Sequence, residues 1–358
     1  MNNPFIENGF LCLNVSINKL FIAKMPTDKV KQDLQGKSAL DIFSTQLLID
    51  EIKMNATKLG LDLTNIEEKT LPQYLDNLLD SPNLTVKETA ENIVKKFGER
   101  LGVILLTLMK GDEENRLKRS DWNDSNWDYW KTIKNVILVG GLASSKVGEK
   151  LKYYAQKVFS DSGNECYNII LNKDSSNVAI KGCATYIENP INNKEYLIFD
   201  FGQTFIKRSI VKINNNQVSN INTLDKVLSN NVDWDNSDIE KEKEEANKLN
   251  NHIIDVITDT INKADINNIG DTIVISIANY VRNGLLANRG GYGKLRLLTN
   301  NYEEFLSSEI YKKTNTKFTI KLIHDGTAMA AAFSNYSDAV CLSLGTAFGV
   351  GFPNMNQY

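Results

Sequence analysis

Four segments of the sequence place a small or polar turn directly after a run of apolar residues. The first is LIFDFGQTFIK at residues 197–207, where Asp200 is followed by Gly202, Gln203 and Thr204. Bare backbone N–H groups in such a turn can bind phosphate oxygens, while the carboxylate faces a phosphate-bound Mg²⁺. An ordinary hairpin in which Asp200 only caps the turn accounts for the same residues. This segment alone leaves both roles open.

The second segment, IHDGTAMA at residues 323–330, joins a predicted strand to a predicted helix. Asp325 lies at the start of that helix, where rigid elements on both sides would hold a general base in place. Aspartate is also a frequent N-cap residue, so a purely structural role explains the same position. Taken alone, the segment favours the capping role.

The third segment, LSLGTAFGVG at residues 342–351, follows a predicted buried strand with Gly345 and Thr346. These two residues predict a second turn whose backbone faces a phosphate group. Two later glycines, Gly349 and Gly351, would permit the close approach of a ligand. A tight connection between two elements is the alternative.

The fourth segment, VILVGGLASS at residues 136–145, leads from a strand through Gly140 and Gly141 into a helix. Two glycines allow an adenine or a ribose to lie against the backbone without meeting a Cβ atom. A tight strand-to-helix connection is again the alternative. Neither the dinucleotide-binding pattern GxGxxG nor the P-loop pattern GxxxxGK[ST] occurs in the sequence, so we expect neither of those nucleotide sites.

Strands and helices alternate in both halves of the chain, and these elements must position the four turns. The predicted strands are residues 135–139, 167–171, 195–200, 205–213, 272–277, 318–323 and 339–344. The predicted helices are residues 38–59, 85–110, 144–159, 178–187, 237–263, 302–313 and 327–333. Ser237 and Glu240 are predicted to form a capping box at the start of the fifth of these helices. The alternation is typical of an α/β fold.

Other stretches carry weaker signals. Two short strands are predicted within residues 9–24. Gly98 and Gly102 lie one turn apart in the second predicted helix and predict close packing against a strand or helix. The polar stretch 111–130, which contains several tryptophans, is predicted to lie on the surface. Residues 189–193, NPINN, are the predicted linker between two domains.

The composition is that of an ordinary globular protein. Of the 358 residues, 42% are hydrophobic and 24% are charged, which excludes wholesale disorder and fibrous repeats and predicts two domains. The net charge of −3 argues against a nucleic-acid partner and against binding to an anionic membrane.

The same composition predicts a cytoplasmic protein. No apolar run approaches the roughly 20 residues that span a bilayer, and we recognise no signal peptide. Four cysteines without a CxxC pair predict reduced thiols rather than a disulfide framework or a zinc site. With two histidines in the chain, a multi-histidine metal site is nearly excluded.

Together the four segments resemble the motifs of the ROK sugar kinases, a group within the actin, chaperone and sugar-kinase superfamily. DFGQTFIK resembles the first phosphate motif of that group, DxGGTxxK, and LIHDGTAMAAAF resembles its catalytic segment, NDANAAALGE. LSLGTAFGVGF resembles the second phosphate motif, LGTGIGGG, and ILVGGLASS resembles the adenosine motif. The resemblance implies a two-lobed, actin-like ATPase fold of the ribonuclease H-like type.

The order of the motifs differs from that of the family. ROK kinases run from the first phosphate motif through the catalytic Asp and the second phosphate motif to the adenosine motif, whereas here the adenosine motif comes first. Circular permutation explains this order most simply, because surface loops tolerate such cuts; a fusion of unlike half-domains is the alternative. The expected domains are residues 1–190, with the adenosine motif, and residues 195–358, with the other three.

The resemblance implies an ATP-dependent carbohydrate kinase with Mg²⁺, in which Asp325 is the general base and Asp200 acts on the metal side. The residues implied to contact the phosphates and adenosine of ATP are Gly202, Gln203, Thr204, Gly345, Thr346, Gly140, Gly141 and Leu142. The residues implied or guessed to contact the sugar or polyol substrate are His324, Asn283 and Gly284. Related kinases are often dimers, so a homodimer is expected.

Several departures from the family pattern keep a second hypothesis open. Gln203 replaces the second glycine of the phosphate motif, and His324 replaces a sugar-contacting Asn. The sugar-binding stretch GExGH and the zinc cluster of the family are not identifiable. The alternative is a catalytically silent regulator that binds a nucleotide or a sugar with the same fold. A DNA-binding repressor lacks its helix-turn-helix here, and an actin-like filament protein has little support.

Overall fold

A computed structural model describes residues 2–174, 176–231, 238–265 and 267–353. Its strands are β1 Ile6–Glu7, β2 Phe10–Leu11, β3 Asn135–Val139, β4 Asn168–Leu171, β5 Glu195–Phe201, β6 Phe205–Asn214, β7 Gln217–Leu228, β8 Ile269–Ile277, β9 Val281–Arg282, β10 Leu285–Leu286, β11 Thr319–His324, β12 Ala339–Leu344 and β13 Phe348–Gly351. Its α-helices are α1 Ala39–Ile42, α2 Thr45–Met54, α3 Ala56–Leu59, α4 Leu71–Leu78, α5 Leu84–Lys110, α6 Glu113–Leu117, α7 Asp124–Thr132, α8 Lys146–Asp161, α9 Val178–Ala184, α10 Ile239–Lys263, α11 Tyr302–Thr314 and α12 Asp325–Ala331. The predicted α/β class is confirmed.

The described chain divides into two compact units. The first unit contains Met1–Ser176 and Asn335–Pro353, and the second contains Asn177–Ser334. This division differs from the expected boundary near residues 190–195. The reason lies in β12, which pairs in parallel with β3 and therefore belongs to the sheet of the first unit.

The expected linker, residues 189–193, lies inside the second unit, where it joins α9 to β5. It is held by hydrogen bonds: the N–H of Asn193 donates to the Oδ1 of Asn214 at 2.9 Å, and the N–H of Ile191 donates to the hydroxyl of Tyr196 at 2.8 Å. These bonds make the segment an ordered turn rather than a hinge between domains.

The sheet of the second unit has the strand order β11-β8-β5-β6-β7. Strands β5, β8 and β11 run parallel, whereas β6 is antiparallel to β5 and β7 is antiparallel to β6. Alternate residues of β5 enter two cores: Leu197 and Phe199 pack with residues of α10 and α11, while Ile198 packs with residues of α9 and α12. Helices on both faces explain why β5 is apolar at nearly every position.

The sheet of the first unit has the order β13-β12-β3-β4, with β12, β3 and β4 parallel and β13 antiparallel to β12. Helices α5 and α8 of this unit pack closely. A Cβ atom on Gly98 would lie 2.6 Å from the Cβ of Tyr154, and one on Gly102 would lie 2.8 Å from the Cβ of Val158. The predicted close packing at both glycines is confirmed.

The prediction that residues 111–130 lie on the surface is wrong. These residues form α6 and α7, and the exposed fractions of Trp122, Trp127 and Trp130 are 6%, 1% and 0%. Asn123, Asp124 and Ser125, between the first two of these tryptophans, are exposed, so composition alone hides an aromatic core. Phe5 packs edge-on against Trp122 at a centroid distance of 5.1 Å, which ties the N-terminus to this core.

Residues 9–24 also differ from the prediction, because β2 is followed by two single-turn 3₁₀ helices rather than by a second short strand. Asn18, in the second of these turns, exchanges two hydrogen bonds of 2.8 Å with the backbone of Phe348. The Asn18 side chain thereby pairs with backbone groups at the start of edge strand β13. Edge strands need such protection because their unpaired backbone groups can pair with other chains.

Two predicted helix starts have different outcomes. The single predicted helix 38–59 is divided into α1, α2 and α3, because Ser38 and Ser44 each cap a new helix start. The predicted cap Ser237 lies outside the described residues, and Asp238 caps α10 by accepting from the N–H groups of Glu240 and Lys241. Among the described helices, we find none with both the length and the apolarity needed to cross a bilayer.

Candidate active site

The residues predicted to form the site fall into two groups, one in each unit, and each group is described by itself. The second unit carries Asp200, Gly202, Gln203, Thr204, Asn283, Gly284, His324 and Asp325. The first unit carries Gly140, Gly141, Leu142, Gly345 and Thr346.

The two predicted carboxylates of the second unit lie at one edge of its sheet. Strands β5, β8 and β11 are parallel neighbours, so their carboxyl ends meet at that edge. The register pairs Asp200 with Ser276 and Ser276 with Ile323, and Asp325 follows two residues after Ile323. The Oγ of Ser276 donates to the Oδ1 of Asp200 at 3.1 Å. Such an edge is where open α/β sheets bind their ligands.

The ring of His324 lies beside the carboxylate of Asp325. The Nδ1 of His324 accepts from the backbone N–H of Thr327 at 3.2 Å, which caps α12. In the neutral ring the proton is then on Nε2, and Nε2 lies 3.2 Å from the Oδ1 of Asp325. The N–H of Gly326 also donates to this Oδ1, at 2.7 Å. The N–H of Gly326 therefore holds one oxygen of Asp325, and the His324 ring lies beside the same oxygen.

The surrounding protein shifts the pKa values of both Asp325 and His324. Burial raises the pKa of Asp325 above its usual value, the nearby charge of Asp200 adds to the rise, and His324, the N–H of Gly326 and Arg289 oppose it. Burial lowers the pKa of His324, against the pull of Asp325. A neutral His324 at pH 7 agrees with its Nδ1 acting as an acceptor. The Asp325 side chain is still 36% exposed, which leaves it open to a ligand.

We expect His324→Asn to move the acid limb of the pH–activity profile to higher pH. Asn can still cap α12, but it lacks the Nε2–H that stabilises the ionised carboxylate of Asp325. Without that donor the pKa of Asp325 rises, so the base becomes protonated at a higher pH. Profiles of kcat/KM against pH for the variant and the wild type measure the shift.

The other histidine of the chain supplies the control for this prediction. His252 contacts the carbonyl of Leu228 at 2.8 Å and the side chain of Asn230 at 3.3 Å. His252→Asn is expected to leave the acid limb in place. An unmoved limb in His324→Asn as well would show that His324 acts only as a helix cap.

Asp200 is paired with a lysine across the hairpin. Lys207 lies directly opposite Asp200 in the β5–β6 register, and its Nζ is 2.9 Å from the Oδ2 of Asp200. The Lys207 side chain is 45% exposed, whereas that of Asp200 is 14% exposed. Lys207 thus brings a positive charge to the side of the turn on which Asp200 lies. Sequence analysis assigned no role to this residue.

The turn between β5 and β6 leaves two backbone donors available. The N–H of Gly202 donates to the carbonyl of Phe205 at 3.1 Å and closes the turn. In the described part of the chain, the N–H groups of Gln203 and Thr204 donate to no other residue. The turn can therefore offer two N–H groups to an anion, as a phosphate-binding turn requires.

Gln203, which stands where the family has glycine, lies back against the second unit. Its Oε1 accepts from the Nδ2 of Asn231 at 3.1 Å, and its Nε2 points to the carbonyl of Ala278 at 3.5 Å. The carbonyl of Gln203 accepts from Ser229 at 2.6 Å. These contacts hold the side-chain amide and leave the N–H groups of the turn uncovered.

The donor set fits Mg²⁺ only together with a phosphorylated ligand. Within the described ranges, no three His, Cys, Asp or Glu side chains form a group that could hold a metal ion. Mg²⁺ commonly takes one or two carboxylates and completes its shell with water and phosphate oxygens. Asp200, beside a turn with two N–H donors, matches that kind of site.

Four of the five residues of the first unit that were predicted to contact a nucleotide line one pocket of about 600 Å³. Gly141, Leu142, Gly345 and Thr346 all contribute to its wall. No atom lies within 4 Å of the position that a Cβ on Gly141 would take, so this backbone faces open space. Gly140 is not at the wall: it has a φ of +97°, and a Cβ there would lie 2.8 Å from the carbonyl oxygen of Leu344. Pockets of this volume commonly hold small ligands.

Helices that the motif analysis did not consider complete this pocket. Lys69, Gln73, Asp76 and Asn77 lie in or next to α4 and line it. The Oδ1 of Asp76 accepts from the N–H of Val147 at 2.9 Å, so a side chain of α4 caps the start of α8. The pocket therefore offers amide and charged groups beside the glycine backbone.

Asn283 and Gly284 have a structural explanation. They form the two-residue turn between β9 and β10, and both have positive φ angles, of 51° and 75°. Asn-Gly is the preferred pair for such a hairpin turn, and a Cβ on Gly284 would run into the side chain of Asn301. The Asn-Gly pair itself, between Val281–Arg282 and Leu285–Leu286, was the signal for this hairpin in the sequence.

Sequence reasoning missed an aromatic stack beside the carboxylate. The ring of Tyr280 stacks on His324 with centroids 4.4 Å apart and an interplanar angle of 28°. The guanidinium carbon of Arg289 lies 5.0 Å from the centroid of Tyr280. Neither residue belongs to a recognisable motif, because the contacts join a loop after β8 to the end of β11.

The chain matches no protein-family model, and the search of curated proteins found no significant match.

Proposed function

We propose that this protein is an ATP-dependent phosphotransferase that phosphorylates a hydroxyl group of a sugar or a sugar-like molecule. The observation that carries the proposal is the placement of Asp325. Its carboxylate lies at the carboxyl edge of parallel strands, with Oδ1 bonded to the N–H of Gly326 and 3.2 Å from the Nε2 of His324, and near Asp200, which begins a turn with unused N–H groups. A base, a carboxylate for a metal and an anion-binding turn at one edge are the parts that phosphoryl transfer needs.

Asp325 acts as the general base in this proposal. With Oδ1 bonded to the N–H of Gly326 and facing His324, its other oxygen can accept the proton of the acceptor hydroxyl. The acceptor oxygen forms a bond to the γ-phosphorus as the bond from that phosphorus to the bridging oxygen of ADP breaks. ADP leaves with the bonding electron pair, and the proton stays on Asp325. The raised pKa of Asp325 brings it closer to that of an efficient base at neutral pH.

The other residues bind and orient. The N–H groups of Gln203 and Thr204 would hold phosphate oxygens, and Lys207 would add a positive charge there. Bound Mg²⁺ supplies charge neutralisation at the transferred phosphoryl group, and Asp200 would hold it directly or through water. The pocket of the first unit, beside Gly141 and Leu142, would hold the adenosine.

The topology of each unit supports the finer fold assignment, an actin-like ATPase with permuted motif order. In each sheet an antiparallel hairpin, β5–β6 or β12–β13, extends from a strand that is parallel to two further strands. The predicted phosphate turns occupy the same place in both hairpins. In the second unit the hairpin precedes the other two parallel strands in the chain, whereas in the first unit it follows them. A permutation between β13 and β3 would produce that order.

Release of ADP from MgATP in the presence of single acceptors tests the proposal. We expect one hydroxyl compound, from a panel of hexoses, N-acetylhexosamines, pentoses, polyols, sugar acids and sugar phosphates, to stimulate ADP release. If no compound does so, yet ATP raises the melting temperature, the kinase proposal fails and the silent regulator remains.

A further inference from the structure

Arg289 is an exposed cation on a rigid support. Asn279, with an exposed fraction of 3%, donates from Nδ2 to the carbonyl of Arg289 at 2.6 Å and to that of Ala287 at 3.2 Å. The Oδ1 of Asn279 accepts from the N–H of Ala287 at 3.1 Å. The buried side-chain amide of Asn279 therefore fixes the backbone at Arg289.

The guanidinium of Arg289 has no carboxylate of its own. Within the described residues, no Asp or Glu oxygen lies within 4.0 Å of it. Other arginines of the chain do have such a partner, namely Arg116, Arg119, Arg208 and Arg296. The Arg289 side chain instead lies over Tyr280, which also stacks on the ring of His324.

The stack of Arg289, Tyr280 and His324 places the guanidinium near Asp325, the proposed base. Arg289 lies one ring away from His324, and the charge of Arg289 lowers the pKa values of both His324 and Asp325. The guanidinium is thus close enough to act on the base electrostatically, but it is not bonded to the base. Its donors remain available to a ligand that reaches Asp325.

We propose that Arg289 binds an anionic group of the acceptor, so that the preferred acceptor is a hydroxyl compound that also carries a carboxylate or a phosphate. The planar fork of arginine matches both groups. Because one aromatic ring separates Arg289 from His324, the anionic group lies several bonds away from the hydroxyl that faces Asp325. This inference rests on the proposed phosphotransfer, and it narrows the class of acceptor.

Calorimetric binding to the full chain, with and without MgADP, tests the inference. The probes are gluconate, glucuronate and glucose 6-phosphate, with glucitol and glucose as their neutral counterparts. We expect at least one acidic probe to bind about tenfold to hundredfold more tightly than its neutral counterpart, which is the usual size of a charge-assisted contact. The probe that binds distinguishes a carboxylate from a phosphate.

Two variants locate the effect. Arg289→Gln is expected to remove the preference for the acidic probe, and Arg289→Lys to retain part of it. Lys313→Gln is the matched control, since it removes one positive charge from an exposed ion pair with Asp255 in the same unit. Equal binding of acidic and neutral probes, no binding of any acidic probe, or an equal loss for both kinds in Arg289→Gln would overturn the inference.

Kinetics separate this inference from the proposed function. Binding of an acidic probe that depends on Arg289, without ADP release, would keep the anion site and reject the kinase. ADP release with neutral acceptors, unchanged in Arg289→Gln, would keep the kinase and reject the anion site. A variant in which only the KM for ATP rises would place Arg289 on the nucleotide and overturn the inference.

Discussion

Asp325→Asn is expected to lower acceptor-dependent turnover by at least ~10², because a general base contributes about 10²–10⁴ to the rate. The change removes the proton acceptor but keeps the size of the side chain and the hydrogen bond from the N–H of Gly326 at the equivalent oxygen. Nucleotide binding should be retained, since the pocket beside Gly141 and Leu142 belongs to the other unit. Steady-state kinetics and a nucleotide titration of the same preparation measure both quantities.

The direction in which Asp325→Asn changes the stability of the folded chain can also be predicted. Because the pKa of Asp325 is raised in the folded chain, the ionised form is disfavoured there, and stability is lost as pH rises from the unfolded pKa through the folded one. A neutral Asn avoids that cost, so the melting temperature at pH 7 should not fall. Asp124→Asn, an exposed first residue of α7, is the matched control with normal turnover. Near-normal turnover in Asp325→Asn would remove Asp325 from the mechanism.

Gly182→Ala is expected to destabilise the second unit by about 3 kcal/mol, at the upper end of the usual cost of overpacking. Gly182 lies in α9, where an added Cβ would lie 2.8 Å from the carbonyl carbon of Ala328 and closer still to its oxygen. The backbone of Ala328 cannot change rotamer as a side chain can, so α9 and α12 must move apart. Since α12 begins with Asp325, activity should fall together with stability. Urea unfolding measures the change.

A second glycine variant serves as the control for this clash. At Gly141 the position of an added Cβ has no neighbour within 4 Å, and no positive φ stands in its way. Gly141→Ala should therefore unfold at the same urea concentration as the wild type, although it changes the wall of the proposed nucleotide pocket. Equal stability of Gly182→Ala and the wild type would contradict the packing of α9 against α12.

Much of the secondary structure could be predicted from the sequence because its signals are local. The predicted strand 195–200 ends one residue before the observed β5, and the predicted strand 339–344 matches β12. Both are apolar runs bounded by glycine turns, a pattern that depends on no distant residue. The same locality places Asp200 and Asp325 at strand ends without knowledge of the sheet order.

The remaining features depend on contacts between distant residues. Strand β12 joins the first unit through β3, about 200 residues earlier in the chain, so no local signal could place the domain boundary. The burial of Trp127 depends on packing that its polar neighbours hide. Lys207, Tyr280 and Arg289 gain their roles only because the fold brings them beside Asp200 and His324.

Phosphorus NMR of the reaction products tests the central claim most directly. The chain is incubated with MgATP and the compound that best stimulates ADP release, beside Asp325→Asn. We predict a new phosphate-ester resonance that grows in equal proportion to ADP and is absent in the variant. Inorganic phosphate in place of the ester, or an ester formed equally by Asp325→Asn, would contradict phosphoryl transfer to a hydroxyl with Asp325 as the base.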